Sequence, residues 1–328
     1  MNDRVGPWVR RFLVEYLIGE RNYSPNTQQS RRDTFVLFLP FAAKRCRCAP
    51  DNLALSQVRS KLVREFLRHL EGVRHCSPST INQRLISLRA WARFVGINSP
   101  EHLEWSAQIR TIHLKKHAPA PTNYLEKREM KALLAAPNRH QRQGSRDHAL
   151  LLFLYNTGAR ASEACRLRVE DLNLASSAAT LHGKGRKIRH CPLWKPTVAA
   201  LRELVSHRAG TQPVFVNHRG QALTRYGLHT LVERYARQAA LAVPTLKTKR
   251  VSPHTIRHST AMALLHAGVD INTIRIWLGH ASLQTTHIYA ECDLKMKAKA
   301  LARCEAPLLE QTKRRSSGKG LIGFLRAL

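Results

Sequence analysis

Apolar residues recur at helical spacing from the start of the chain to about Arg110, a stretch punctuated by two Ser-Pro pairs. SPNTQQSRRDTFVLFLPFAAKR opens on Ser24-Pro25 and SPSTINQRLISLRAWARFVG opens on Ser77-Pro78. A serine at the N-cap followed by proline in the first turn marks a helix start. Between them SQVRSKLVREFLRHLEG sets Val58, Leu62, Phe66 and Leu70 on one apolar face and basic residues on the others. The pattern predicts a small all-helical domain over residues 1–112. The faces carrying arginine and lysine form a saddle suited to a phosphate backbone.

The stretch HLKKHAPAPTNY, residues 113–124, has two prolines and little periodicity, and reads as an interdomain linker. After it LEKREMKALLAAP and SRDHALLLFLYNTG are helical patterns, the second apolar enough to be buried. SAATLHGKGRKIRHCPL gives two short extended runs about a Gly-Lys-Gly turn, the pattern of a β-hairpin. KPTVAALRELVSHRAG returns to helix, and helix dominates from Thr224 on. The fold expected is mainly α. A helical N-terminal domain precedes a mixed but mostly helical second domain with a small sheet over 125–304, and a basic tail follows over 305–328.

Charge narrows the partner. Fifty-four Lys and Arg stand against 22 Asp and Glu, a net charge of +32 spread along most of the chain. That distribution fits a binder of polyanions, DNA or RNA. No charge-free stretch approaches the roughly 20 residues of a membrane span, and Arg10, Arg11 and Glu15 interrupt the apolar run at the N-terminus. The cytoplasm, at the nucleoid, is the expected location. The seven cysteines form no CxxC pair, as expected of reduced structural thiols.

Several residues then stand out as phosphodiester chemistry. Arg160 follows Thr157-Gly158-Ala159, where a glycine break ends a buried helix, and its planar fork suits two phosphate oxygens; an ion pair with Glu163 is the competing reading. His254 and Arg257 are three apart on a helix starting at Ser252-Pro253 and stopping at Gly268. Its apolar stripe runs through Ala261, Leu264 and Leu265, and the pair is expected to face away from the core. A second arginine would neutralise charge in a pentacoordinate transition state, with His254 exchanging a proton beside it. His254 and His258 are four apart, but no HExxH glutamate or carboxylate cluster accompanies them, so no metal is expected. Lys184 lies in the GKGR turn, where an ammonium can protonate a leaving 5′ oxygen; Arg186 and Lys187 are rivals. His280 follows Leu278-Gly279, and Tyr289 comes nine residues later. A tyrosine with an ordinary pKa of about 10 becomes a nucleophile when cations lower that value.

TGARASEACRLRVEDL, HGKGRKIRHCPL and HTIRHSTAMALLHAGVDINTIRIWLGHASLQTTHIYA together resemble the signature blocks of the tyrosine recombinases, the phage integrase family. YSPNTQQSRRDTFVLFL is similar to that family's SAM-like core-binding domain. The resemblance spans residues 122–300 with the blocks in family order. It implies a site-specific recombinase with Arg160 and Arg257 clamping the scissile phosphate, Lys184 as general acid, His254 and His280 in support, and Tyr289 as nucleophile. Glu163 would support the site. The intermediate implied is a 3′-phosphotyrosine, passing through a Holliday junction without cofactor, metal or ATP. A homotetramer on two double-stranded DNA sites is implied, with or without partner recombinases, and no membrane. Integration or excision of a mobile element is the favoured role, over resolution of replicon dimers. A type IB topoisomerase and a purely architectural DNA-binding protein are the alternatives from other classes.

Overall fold

The computed structural model describes residues 3–116, 123–183 and 187–279. The chain divides into two compact units, residues 1–120 and 121–328.

The first unit is helical. Helix α1 (Val5–Arg11) runs on as a π-helical segment over Phe12–Glu20, and α2 (Pro25–Cys46), α3 (Ser60–Gly72), α4 (Pro78–Asn98) and α5 (Leu103–Arg110) follow. The two Ser-Pro starts differ. The Ser77 hydroxyl accepts a hydrogen bond from the Thr80 amide, whereas the Ser24 hydroxyl meets the Thr27 hydroxyl instead of an amide. The stripe expected on α3 is buried, but Val58 lies ahead of the first turn and enters the core from the preceding loop. Lys61, Arg64 and Arg68 stay exposed on the opposite face. Aromatic rings in edge-to-face contact fill the centre: Phe38 on Phe66 at 5.2 Å, and Trp91 on Phe35 at 5.5 Å and Trp105 at 5.3 Å. Such pairs are worth about 0.5–1.5 kcal/mol beyond the area they bury.

The second unit comprises α6 (Lys127–Ala135), α7 (Arg142–Thr157), α8 (Ala161–Arg166), strands β1 (Leu172–Asn173), β2 (Ala178–His182) and β3 (Ile188–Pro192), and helices α9 (Lys195–Val205), α10 (Arg225–Ala242), α11 (Pro253–His266) and α12 (Ile271–Leu278). The strands form an antiparallel sheet in the order β1-β2-β3, so the expected hairpin gains a third short strand. Its turn is closed by the Gly183 amide donating to the Lys187 carbonyl at 2.7 Å. Helix α7 is central: Leu150, Leu151, Leu152, Phe153 and Leu154 are all buried, as a helix apolar all round requires. Asp147 on α7 has no exposed surface and accepts from Arg146, Arg234 and Tyr235, which ties α10 to α7.

The ends of the stretch read as a linker are both attached. Lys115 exchanges two main-chain hydrogen bonds with the Asn82 side chain, and Tyr124 packs with α11 and α12.

Candidate active site

Gly158 ends α7 in the left-handed conformation at φ +60°, which turns the chain sharply. A side chain would not fit there, since a Cβ would stand 2.4 Å from Cδ2 of Leu278. The turn delivers Arg160 to the N-cap of α8, where its amide donates to Glu163 Oε2 at 2.8 Å and its guanidinium Nη1 donates to Glu163 Oε1 at 2.8 Å. Nη2 donates to the Gly279 carbonyl at 3.0 Å. The ion pair with Glu163 and an open fork thus coexist, because the Arg160 side chain keeps 36% of its surface exposed.

Helix α11 is capped by Ser252 in a reciprocal pair with Thr255, and it places His254 and Arg257 beside Arg160. One expectation is corrected here. Arg257 does not face away from the core: it is 3% exposed, with Nη1 donating to the Gly158 carbonyl and Nη2 to the Leu278 carbonyl, each at 2.6 Å. The carbonyls left over at the ends of α7 and α12 need donors, and a buried guanidinium supplies them while holding its charge at the floor of the cleft. Burial first, then the positive charges of Arg257 and Arg160, pushes the His254 imidazole below its ordinary range. The His258 ring packs edge-on against His254 at 4.1 Å, and burial followed by His254 and Arg257 pushes it down to about 4. Among the described residues no group of three His, Cys, Asp or Glu side chains is placed to hold a metal ion.

Arg160, His254 and Arg257 line one cleft of about 770 Å³, which is also lined by Thr224, Arg225, Tyr226 and His229 at the start of α10. Three arginines converge on this cleft, and the exposed Tyr226 stands at its rim. Lys184, Arg186, His280 and Tyr289 lie outside the described residues. The chain on both sides of Lys184 is described, with Gly183 and Lys187 paired at the base of its turn, and Gly279 immediately precedes His280.

Sequence reading passed over Arg189. Its side chain is 10% exposed and meets the Glu163 carboxylate at 2.7 Å. Burial alone would raise the Glu163 carboxyl, but hydrogen bonds and charge from Arg189, joined by Arg160, hold it below the usual range. The signal was the alternation of β3: Arg189 shares its face with the buried Cys191, while Ile188, His190 and Pro192 point out. The residues of α10 carry a weaker signal, the Thr224 cap that aims the helix start into the cleft.

Residues 123–295 match the phage integrase family and residues 9–96 match the phage integrase N-terminal SAM-like domain. The chain is 37% identical over 327 residues to the integrase/recombinase y4rC of Sinorhizobium fredii, covering 99% of this chain and 98% of that protein. It is 31% identical over 287 residues to the tyrosine recombinase XerC of Oceanobacillus iheyensis, covering 84% and 89%. The fold is shared with two solved structures. The Tn1549 transposon integrase with circular intermediate DNA superposes with a TM-score of 0.69 at 17% identity over 90% of this chain and 99% of that one. The XerH recombinase bound to difH DNA gives 0.66 at 21% identity over 90% and 94%. The chain belongs to the phage integrase family, the tyrosine recombinases. It is a site-specific recombinase, an enzyme that breaks and rejoins DNA strands.

Proposed function

We propose that this recombinase acts on double-stranded DNA through Tyr289, with Arg160 and Arg257 clamping the scissile phosphate and Lys184, His254 and His280 completing the site. The observation that carries the reading is the meeting of Arg160 and Arg257, 97 positions apart in sequence, on the carbonyls of Gly279 and Leu278, one and two residues ahead of His280. The Tyr289 oxygen attacks phosphorus, a P–O bond to the phenol forms, and the bond to the 5′ oxygen breaks. Lys184 hands its proton to that oxygen, which otherwise departs as a poor alkoxide. His254, held neutral at the edge of the cleft, accepts a proton beside the phosphate, and the arginines neutralise the pentacoordinate charge. The 5′ hydroxyl of a partner strand then attacks the phosphotyrosine, so the energy of the broken bond is retained.

Pairing of two sites calls for four protomers exchanging strands through a Holliday junction, at the nucleoid. The 37% identity over 327 residues to a protein named as an integrase/recombinase favours a mobile-element role. The test is covalent trapping on nicked duplexes tiling the DNA around the gene. A protease-sensitive adduct from the unsubstituted protein, absent with Tyr289→Phe while binding persists, is expected. An adduct of equal yield from Tyr289→Phe would sink the assignment of the nucleophile, and relaxation of supercoils by a monomer without sequence preference would favour a topoisomerase.

A further inference from the structure

The Glu163 carboxylate is 2% exposed and all its acceptor capacity is used: Oε1 takes Nη1 of Arg160 and Nη1 of Arg189, and Oε2 takes the Arg160 amide and Nη2 of Arg189. Two guanidinium groups are therefore locked to one anion, the first half-open to the cleft and the second sealed beneath it. The Arg189 fork reaches further. A Cβ on Gly279 would lie 3.2 Å from Arg189 Nη1 and 3.4 Å from its Cδ, and a Cβ on Gly183 would lie 3.5 Å from Glu163 Oε1 and 3.8 Å from Arg189 Nη1. The ion pair thus lies against the main chain at two glycines, and the next residues in sequence are Lys184 and His280.

We propose that Arg189 is a positioning residue for the active centre: through Glu163 it fixes the direction of the Arg160 fork, and its guanidinium takes up the space beside Gly183 and Gly279, the residues just ahead of Lys184 and His280 in sequence. This rests on the assignment of Arg160, Lys184 and His280 above. A carboxylate with one arginine can swing with it, whereas one gripped bidentately from the opposite side cannot, so the Arg160 rotamer is set before DNA arrives. Arginine is required because a lysine offers a point charge where two parallel donors are used. Gly279 is doubly constrained, by its φ of +65° and by the guanidinium lying on it.

The experiment compares the full-length protein with Arg189→Lys, Arg189→Met and the pair Arg189→Met/Glu163→Gln. The probe is the nicked duplex on which the unsubstituted protein forms its adduct, and single-turnover cleavage, affinity for that duplex and melting temperature are read together. Arg189→Lys is expected to keep affinity within about threefold and to slow cleavage roughly 10- to 100-fold, the scale of a small misplacement of a catalytic group. Arg189→Met leaves a buried carboxylate without its sealed partner and lowers the melting temperature. The pair variant removes both charges and regains the melting temperature, while cleavage stays slow. Cleavage restored along with melting in the pair variant would reduce Arg189 to a structural ion pair and overturn the proposal, as would wild-type cleavage by Arg189→Lys. Failure of the parent assignment shows elsewhere, as an undiminished adduct from Tyr289→Phe or wild-type cleavage by Arg160→Ala.

Discussion

Gly158 is the residue whose replacement separates backbone from charge. Alanine there must hold φ near +60° and set a methyl 2.4 Å from the fully buried Leu278. The cost is expected to be roughly 2–3 kcal/mol from the left-handed backbone and crowding together, read as a lower midpoint in urea at an unchanged slope. Because the Gly158 carbonyl accepts from Arg257, cleavage should fall further than stability accounts for; parallel losses would deny the turn a role in aiming the arginines. The histidines give a pH signature at the same scale. His258 stays neutral in the fold until about pH 4, whereas in the unfolded chain it takes a proton near pH 6.5. The unfolded state then binds more protons across that window, so stability is full above about 6.5 and falls as the pH drops toward about 4. Melting temperature measured over this range should flatten in His258→Gln; an identical slope in both proteins would show that His258 is not the group responsible. Residue type and spacing single out Arg160, Arg257 and His254, and the structure brings the three to one cleft. Arg189 was not legible in that way, because its role depends on which strand face is sealed by neighbours far away in sequence.

Among the described residues, buried polar contacts tie one element to another and set vulnerable points. Asp147 joins α7 to α10, and Arg234 and Tyr235 reach it from a helix some 87 positions on. Asp147→Ala would leave Arg146, 11% exposed and still donating to the Val216 carbonyl, without its anion, at an expected cost of about 3–5 kcal/mol. Denaturant unfolding checks this, and a loss below about 1 kcal/mol would mean that the Val216 carbonyl and solvent suffice for Arg146. The helices were readable because Ser-Pro starts and apolar stripes are local signals. Helix α7 was readable as buried for the same reason, with an unbroken apolar run from Ala149 to Leu154. Strand β1 was not, since two residues leave no periodicity and it exists only by pairing with Ala178 and Ala179. The burial of Arg257 was also out of reach of spacing, because the carbonyls that hold it come from the ends of two other helices.

At the scale of the whole molecule, charge governs the encounter with DNA more than any single contact does. A net charge of +32 over 328 residues, with Lys61, Arg64 and Arg68 exposed on one face of α3 and three arginines at the cleft, means that binding releases many condensed counterions. Each phosphate neutralised adds about 0.9 to the slope of log affinity against log salt, so six to ten contacts cost about 10³ to 10⁵ in affinity between 50 and 200 mM salt. Titrations of a duplex at several salt concentrations are expected to give such a straight, steep line. The substitutions then divide by mechanism. Arg64→Ala and Arg68→Ala are expected to remove phosphate contacts, so each should lower the slope by about one and weaken site and non-site DNA alike. Arg189→Lys, sealed beneath the cleft, should leave the slope unchanged while slowing cleavage. An affinity that barely moves with salt would place the binding energy in apolar contact, and the basic faces of the first unit would then serve solubility, not DNA.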